Sequence, residues 1–323
     1  MSTPWRRFGW QQMELAAPSD WYLSKVAAER AAGELWLADA LMPRLQVKWL
    51  DATRQKSVDT GDTLKRYLAG IERAARRRRL DWEQERDVRL VSRGGRDVSS
   101  LEGFHFRSEM EAWGVIWYNP ESLRVTLAQV NGPPDEPGLK GLARKVLGTL
   151  HDAPRGERCL WTAYDLACAV PLAFALAGQT METGHTELNF TRGRQQETLT
   201  FARYGLAAIA LERARDLGDW AWQQRWKTWH HFRLERAVTT VAGCPAVAFT
   251  GLRRSRVDRF RQRAFSYLGA RYTIALSALV WHSVEANALL VVEQLRDPRD
   301  PDLVPALAEH VPCQPLLIEP PRS

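Results

Sequence analysis

Several residue patterns that carry common chemistries are missing from this chain of 323 residues. Its four cysteines stand singly, with no C-x-x-C pair, and its seven histidines show neither the H-x-x-x-H nor the H-E-x-x-H spacing. These absences argue against a disulfide framework and against a zinc site, because both need thiols or ligands at recurrent spacings. We therefore interpret the cysteines as buried small apolar residues and predict no metal.

Nucleophile and phosphate-binding motifs are also missing. The sequence contains no G-x-S-x-G elbow, no G-x-x-x-x-G-K-[ST] loop and no G-x-G-x-x-G turn. Carboxylates such as Glu109, Glu111, Glu182 and Glu187 could pair across strands, but solvated strand faces explain them more simply. These observations predict a protein that is not an enzyme, with no catalytic residue and no cofactor.

Long hydrophobic runs are absent as well. No apolar run approaches the roughly 20 residues needed to cross a bilayer, and the richest stretch, residues 160–176, is interrupted by Asp165 and Pro171. The first residues include two arginines without an apolar core behind them, so we expect no signal peptide. Hydrophobic residues at 45% and charged residues at 26% are ordinary for a globular protein. The expected location is the cytoplasm.

Lysine is scarce, since only 7 of the 45 cationic residues are lysines and the rest are arginines. The formal net charge of +7 favours an acidic partner, which includes nucleic acid, an anionic membrane surface and an acidic protein. The codon usage of a GC-rich genome would produce the same excess of arginine, so both explanations stay open.

One segment occurs twice. Gly61-Asp62 opens a helical pattern that runs to about residue 79, with Asp62 as the expected N-cap, and Gly218-Asp219 opens another that runs to about residue 236. Each helix has an apolar face that we expect to pack in the core: Leu64, Tyr67, Leu68 and Ile71 in the first, Trp222, Trp226 and Trp229 in the second. Strand patterns flank both helices in the same order. We predict two tandem α+β modules, residues 1–155 and 156–323.

The strand patterns indicate mainly antiparallel sheets with helices on their faces. Residues 44–49 alternate with period two, and residues 101–108, 112–118 and 123–130 form closely spaced strand patterns before a short helix at 139–150. Residues 1–12 are expected to form an arm or short helix, residues 88–91 a weak strand, and residues 312–323 an extended tail. Gly251 is expected to occupy the place of Gly103.

Pro18-Ser19-Asp20-Trp21, the helix after Gly61-Asp62 and the strand group from Gly103 to Val130 together resemble the PsbP-like family, which includes the Eag-type chaperones of type VI secretion. Each half of the chain would hold one such module. The resemblance implies an α/β/α sandwich and a non-catalytic role in binding or assembling other proteins. The chain departs from that family in its arginine content and in lacking an export signal or lipobox, which argues against a photosynthetic or periplasmic role.

Two kinds of residue are candidates for binding. Trp113 and Trp117 lie four apart on a strand, hence on the same side, and could line an exposed concave sheet face that receives a partner segment. The basic candidates are Arg76, Arg77, Arg78 and Arg79 at the end of the first helix, and Arg253, Arg254, Arg256 and Arg259 in the second module. The second group lies beside aromatic residues, as in proteins that bind single-stranded nucleic acid.

The favoured function is non-catalytic binding of another protein, as an adaptor, chaperone or assembly component. The alternative is an accessory protein that binds nucleic acid through the arginine patch of the second module. A third hypothesis, an enzyme with an unrecognised site between the modules, stays open because pockets favour domain interfaces.

The nucleic-acid alternative makes a direct prediction. Binding by arginine–phosphate contacts releases counterions, so the affinity for single-stranded nucleic acid should fall steeply with rising salt. Fluorescence anisotropy of a labelled oligonucleotide between low and moderate salt measures this dependence. An affinity that stays flat over that range removes the alternative.

Overall fold

The computed structural model describes residues 4–28, 32–53, 58–91, 99–154, 156–193, 197–254, 274–312 and 317–321. The chain divides into two compact units. Unit 1 comprises Met1–Leu160 and Leu316–Ser323, and unit 2 comprises Trp161–Pro315. The sequence places the boundary slightly earlier, after residue 155, and assigns the C-terminal tail to the second module.

Unit 1 contains a seven-stranded antiparallel sheet in the order β3-β4-β5-β9-β8-β7-β6 and a small sheet in the order β19-β1-β2. Its elements are β1 (Trp5–Trp10), β2 (Met13–Pro18), β3 (Tyr22–Ala28), β4 (Ala32–Ala38), β5 (Pro43–Asp51), α1 (Thr60–Arg77), β6 (Glu83–Arg86), β7 (Ser99–Arg107), β8 (Glu111–Asn119), β9 (Arg124–Gly132), α2 (Leu139–Thr149) and β19 (Leu317–Ile318).

Unit 2 contains a seven-stranded antiparallel sheet in the order β12-β13-β14-β18-β17-β16-β15, and β10 pairs with β11. Its elements are β10 (Arg158–Ala163, which begins in unit 1), β11 (Leu166–Pro171), β12 (Ala175–Glu182), β13 (His185–Arg192), β14 (Glu197–Gly205), α3 (Ala207–Glu212), α4 (Leu217–Trp229), β15 (Phe232–Val241), β16 (Cys244–Arg253), β17 (Ala275–Ser283), β18 (Ala288–Arg296) and α5 (Val304–Ala308). Apart from α3, this order repeats that of unit 1.

The two large sheets also share one pairing register. Residues 120–123 and 284–287 close equivalent hairpins, and the last residue of each turn has a positive φ. Counting from these hairpins gives equivalent rows across the sheets: Trp36, Gln46, Gln129, Gly114, Phe104 and Arg86 in unit 1, and Asn189, Thr200, Glu293, Ala278, Phe249 and Arg236 in unit 2. In this register Ala248 takes the place of Gly103, so the predicted equivalence of Gly251 with Gly103 is wrong.

Each large sheet carries helices on both faces. In unit 1, Leu64 and Leu68 of α1 pack in one cluster with Phe104 and Ile116 of the sheet, while α2 contacts β8 and β9 and also β2. In unit 2, α4 packs on β15–β17 and α5 on β17 and β18. These layers confirm the α+β class with mainly antiparallel sheets. The finer description as an α/β/α sandwich stays a prediction, because α2 also packs against a second, smaller sheet.

Three local predictions are wrong for the same physical reason, which is that pairing with the next strand in the sequence overrides the local pattern. Residues 5–10 form β1, not an arm or helix, because they pair with β2 along their length. The weak strand expected at residues 88–91 is absent, and β6 lies at residues 83–86. The second long helix ends at Trp229, because the residues from Phe232 onward pair with β16.

The repeated Gly-Asp pair marks a shared helix start. The N-caps are Asp59 and Asp216, so the predicted cap Asp62 is wrong, and each cap carboxylate accepts a hydrogen bond of 2.9 Å from the backbone N–H three residues later. In unit 2 the cap also accepts two bonds from Arg236, at 3.2 and 2.8 Å. A Cβ on Gly218 would lie 2.7 Å from that guanidinium, so a larger residue there would displace the arginine.

This cap generates a stability prediction. Asp216→Ala removes an N-cap bond and should lower the free energy of unfolding by about 1 kcal/mol. The Arg236 guanidinium and the Asp219 N–H lower the pKa of Asp216 below its ordinary value. The stabilisation by the ionised Asp216 carboxylate is therefore fully present above its unfolded-state pKa of about 3.9. It is lost as the pH falls through the lower folded-state pKa. Urea unfolding at neutral and acidic pH measures both effects.

Glu212→Ala, at an exposed position on α3, is the matched control and should change stability by less than about 0.5 kcal/mol. An Asp216→Ala variant that is as stable as this control at neutral pH would contradict the role of the cap.

Candidate functional site

The two predicted tryptophans are buried, so the exposed concave face expected from the sequence is wrong. Trp113 stacks on the His105 ring, with the two ring centroids 3.9 Å apart. The Lys140 ammonium group of α2 lies over the Trp113 ring, 4.5 Å from its centroid. Trp117 is 2% exposed and its indole N–H donates to Asp152 at 3.0 Å. Both rings lie on the sheet face that α2 covers, because residues two and four apart on a strand share a face.

The arginine cluster at the end of α1 is partly neutralised within unit 1. Arg76 pairs with Glu72 at 2.6 Å, and Arg78 makes a two-pronged contact with Glu109. Arg77 and Arg79 are exposed, and no ion pair joins either of them to another residue in the described ranges. Arg77 and Arg79 are therefore the members of the cluster without an ion-pair partner in the described ranges, while Arg76 and Arg78 take part in exposed ion pairs.

Arg253 and Arg254, the described part of the second arginine patch, contact residues at the start of β15. Arg254 donates from its backbone N–H to the His231 carbonyl at 2.8 Å and from Nε to the Phe232 carbonyl at 2.9 Å. The Arg253 guanidinium lies 6.0 Å from the Phe232 ring centroid. These contacts give both arginines a structural role. Arg256 and Arg259, the other members of the predicted patch, lie outside the described residues.

The tryptophan face predicted for the second helix is only partly correct. Trp229 is fully buried and packs on Phe249 with centroids 4.5 Å apart, and Trp222 packs at the margin of the same cluster. Trp226, however, is 52% exposed and stacks on His230. Three residues on a helix fall about 60° short of a full turn, so the Trp226 side chain leaves α4 in a different direction from that of Trp229.

Arg225 of α4 is held between two carboxylates of the sheet. It donates to Glu187 at 2.7 Å and to both oxygens of Glu293 at 3.1 Å, and the Trp229 indole N–H also donates to Glu293 at 2.5 Å. Burial alone would lower the pKa of Arg225, but the two carboxylates raise it above its ordinary value. Both carboxylates are engaged, so neither is a free base beside the polar cavity of about 350 Å³ that they line.

Unit 1 has a neutral network at the equivalent place. Gln129, which corresponds to Glu293 in the shared register, accepts a hydrogen bond of 2.7 Å from the Tyr67 hydroxyl of α1 and donates to Asn131 at 2.8 Å. Burial raises the pKa of Tyr67. In both units a polar contact in the middle of the sheet therefore fixes the long helix, with an ion pair in unit 2 and neutral groups in unit 1.

The large sheets have four edge strands, and three of them carry features that discourage pairing with another chain. β3 has a register shift between Leu23 and Lys25 and exposes that lysine. β6 is four residues long, with the sequence Glu-Gln-Glu-Arg exposed throughout. β12 has a register shift between Leu176 and Gly178. These three edges are poor templates for an added strand.

The fourth edge, β15, is regular and open. Its ten residues pair with β16 without a register shift, and Arg236, the last charged residue, is held by Asp216. The second half, residues 237–241, reads Ala-Val-Thr-Thr-Val and is uncharged, and Val238 is 86% exposed. No strand in the described ranges pairs with the outer edge of β15. Within the described residues, the outer backbone N–H and C=O groups of β15 therefore have no strand partner.

A groove of about 300 Å³ lies beside this edge, between β15–β17 and α5. Its lining includes Thr239, Ala248, Thr250, Leu279, Pro305 and Ala308. The helix that borders the groove is short, since α5 has five residues whereas its counterpart α2 has eleven. The volume is on the order of ten water molecules, at the low end for small-molecule sites.

The equivalent place in unit 1 is occupied by the chain itself. Gly103 and Val115 correspond to Ala248 and Leu279 in the shared register. After β6 the chain turns over this position, where the Val88 N–H donates to the Gly103 carbonyl at 3.0 Å and Val88 and Leu90 are buried. A cavity of about 390 Å³ remains beside the segment. Gly103 is needed because a Cβ there would lie 2.0 Å from the Val88 carbonyl oxygen.

The described ranges contain neither a metal-binding cluster nor a membrane-spanning helix. No group of three or more histidine, cysteine, aspartate or glutamate side chains there is arranged to hold a metal ion. None of the helices in those ranges combines the length and the apolar character needed to cross a membrane.

No protein-family model and no curated protein matches the chain. Among solved structures it is similar to the immunity protein TplEi of T6SS from Pseudomonas aeruginosa, in complex with an "L" peptide. The alignment has 11% sequence identity and a TM-score of 0.33, and it covers 96% of this chain and 98% of that chain. At these values the likeness assigns no function. None of these comparisons confirms the resemblance to the PsbP-like family, which stays a prediction.

Sequence reasoning missed the β15 edge because it extended the preceding helix to residue 236. A signal was present: Val238, Thr239, Thr240 and Val241 form a β-branched run that favours a strand. Nothing local, however, shows that this strand is the last one in its sheet. That property depends on the order of strands that are distant in sequence.

The Arg225 cluster generates a second stability prediction. Arg225→Met leaves Glu187 and Glu293 without their cation, and removing one partner of a buried pair costs about 3–5 kcal/mol. Urea unfolding followed by tryptophan fluorescence measures the loss, and hydrogen exchange locates it in unit 2. Tyr67→Phe, which removes the neutral contact in unit 1, is the matched control, with an expected loss of about 1 kcal/mol. Equal losses would contradict a special role for the ion pair.

Proposed function

We propose that this protein binds another protein without catalysing a reaction, by accepting an extended segment of its partner as an added strand on the outer edge of β15. Such a protein would serve as an adaptor, chaperone or assembly component. The observation that carries the proposal is the contrast between the regular, uncharged second half of β15, residues 237–241, and the other three edges, each of which has a feature that discourages strand pairing.

The physical basis is strand addition. An exposed edge offers a row of unpaired backbone donors and acceptors, and a partner segment that pairs with them gains main-chain hydrogen bonds. The uncharged half of β15 imposes no like-charge repulsion on an incoming strand. The exposed Val238 side chain gives that strand an apolar surface to cover. An exposed edge strand promotes aggregation, and a partner segment that covers it removes that risk.

The non-catalytic part of the proposal is supported by the state of the carboxylates. Glu187 and Glu293 line a cavity, which is the place to look for acid–base chemistry. Both are bound by Arg225, which leaves them poorly placed to accept a proton from a substrate. Nucleic-acid binding remains the alternative. Arg76, Arg78 and Arg254 contact groups of this chain, which leaves Arg77 and Arg79 as the exposed cations of the first cluster without an ion pair in the described ranges.

Val238→Lys tests the proposed edge. A lysine on an edge strand discourages pairing, and at an 86% exposed position it should leave the free energy of unfolding within about 0.5 kcal/mol of the parent. We expect the immobilised parent chain to capture a defined protein from nuclease-treated lysate of its native host. The variant should lose that protein. Quantitative mass spectrometry of the captured fractions is the measurement.

Val284→Lys is the matched control, because it makes the same substitution at a 70% exposed turn position of the same unit. It should retain the captured protein. Retention of the same protein by Val238→Lys would reject β15 as the binding edge. Loss of all captured material on nuclease treatment would favour the nucleic-acid alternative.

A further inference from the structure

We infer that the groove between α5 and β15–β17 selects the partner segment, by receiving one apolar side chain of about the size of valine or leucine from the strand added at β15. This inference rests on the proposed function and specifies the chemistry of the segment. The groove lies directly beside the outer edge of β15.

The groove reaches the edge strand itself. Thr239 of β15 belongs to its lining, together with Ala248 on the neighbouring strand. A strand added to β15 would lie about 4.8 Å away, and its side chains would alternate between the two faces of the sheet. A side chain that points to the α5 side would therefore lie beside Thr239, within reach of Pro305 and Ala308 across the groove.

Unit 1 shows which chemistry this position takes. At the equivalent place Val88 lies against Gly103, and the Val88 and Leu90 side chains are both buried. The segment is an irregular, apolar-containing stretch that follows directly from an edge strand, with a positive φ at Asp87 and a hydrogen bond of 3.1 Å from the Leu90 N–H to the Val88 carbonyl. Unit 2 has no such segment after β15, because β15 continues in regular pairing to Val241 and turns into β16. A partner segment would supply what unit 1 supplies from its own chain.

The lining of the groove narrows the choice of side chain. Ala248, Ala308 and Thr250 are small, and Leu279 and Pro305 are apolar, so the free energy of binding comes mainly from buried apolar area. Asp302 and Glu309 are exposed at the rim. Their carboxylates disfavour an acidic residue next to the inserted side chain, because like charges in proximity repel.

The test is a selection of random nine-residue peptides displayed on phage against the full chain. We expect enriched peptides with a β-strand pattern and a single position restricted to valine, isoleucine or leucine. The affinity of one selected peptide is then measured by fluorescence anisotropy for the parent chain, Val238→Lys and Thr250→Tyr. Thr250 is exposed and lines the groove, so a tyrosine there fills it without disturbing the core.

Thr250→Tyr should lower the affinity for the peptide at least about tenfold, because the tyrosine keeps one aliphatic side chain of the peptide out of the groove. Replacing the restricted peptide residue by alanine should weaken binding to the parent by a similar factor and should add little on top of Thr250→Tyr. Thr53→Tyr, at an exposed turn position of unit 1, is the matched control and should bind as the parent does.

The outcomes separate the groove from the edge. If Val238→Lys abolishes binding while Thr250→Tyr leaves it unchanged, the groove inference is wrong and the edge proposal stands. If no peptide is enriched, or neither variant changes the affinity, the groove inference is overturned. The edge proposal fails with it only when Val238→Lys also retains the protein captured from lysate.

Discussion

The pairing of β5 with β9 in unit 1, and of β14 with β18 in unit 2, is the contact on which the rest of each sheet depends. It joins three strands from before the long helix to four strands from after it, across a large separation in sequence. Every row of side chains that crosses the sheet, including the row that holds Gln129 or Glu293 under the helix, is aligned by this one register. A slip by one residue would turn all of these side chains to the opposite face.

Within this shared frame the two units differ where their chemistry differs. Unit 1 fixes its long helix with neutral groups and covers its own sheet face with Val88 and Leu90. Unit 2 fixes its helix with Arg225 between two carboxylates and leaves the equivalent face open beside a regular edge strand. The ion pair is costly to desolvate but rigid once satisfied, since breaking it would leave buried charge. A rigid α4 and sheet suit a surface that presents a fixed edge to a partner.

The open edge of β15 is informative because the chain blocks its other edges. A register shift, an exposed lysine and a short run of charged residues each prevent a sheet edge from templating another chain. The second half of β15, residues 237–241, has none of these features, although its first half carries the exposed charged residues Arg233, Glu235 and Arg236. The proposed strand addition would account for this regular, uncharged half and would give the neighbouring groove a role, since alternate side chains of an added strand would point toward it.

The sequence alone determined features that depend on nearby residues. The period-two strand at residues 44–49, the hairpin strands at 112–130, the helix at 139–149 and the position of both long helices follow from spacing and from turn and cap residues. Gly61 and Gly218 marked the helix starts, although the capping side chains proved to be Asp59 and Asp216. The tertiary structure decided the burial of Trp113 and Trp117, the strand character of residues 5–10 and 232–241, and which edge stays open. The burial of the two tryptophans depends on how a helix covers the sheet, the strand character of the two segments depends on pairing with the next strand, and the open edge depends on the order of strands that are distant in sequence. No pattern within one segment shows any of these contacts.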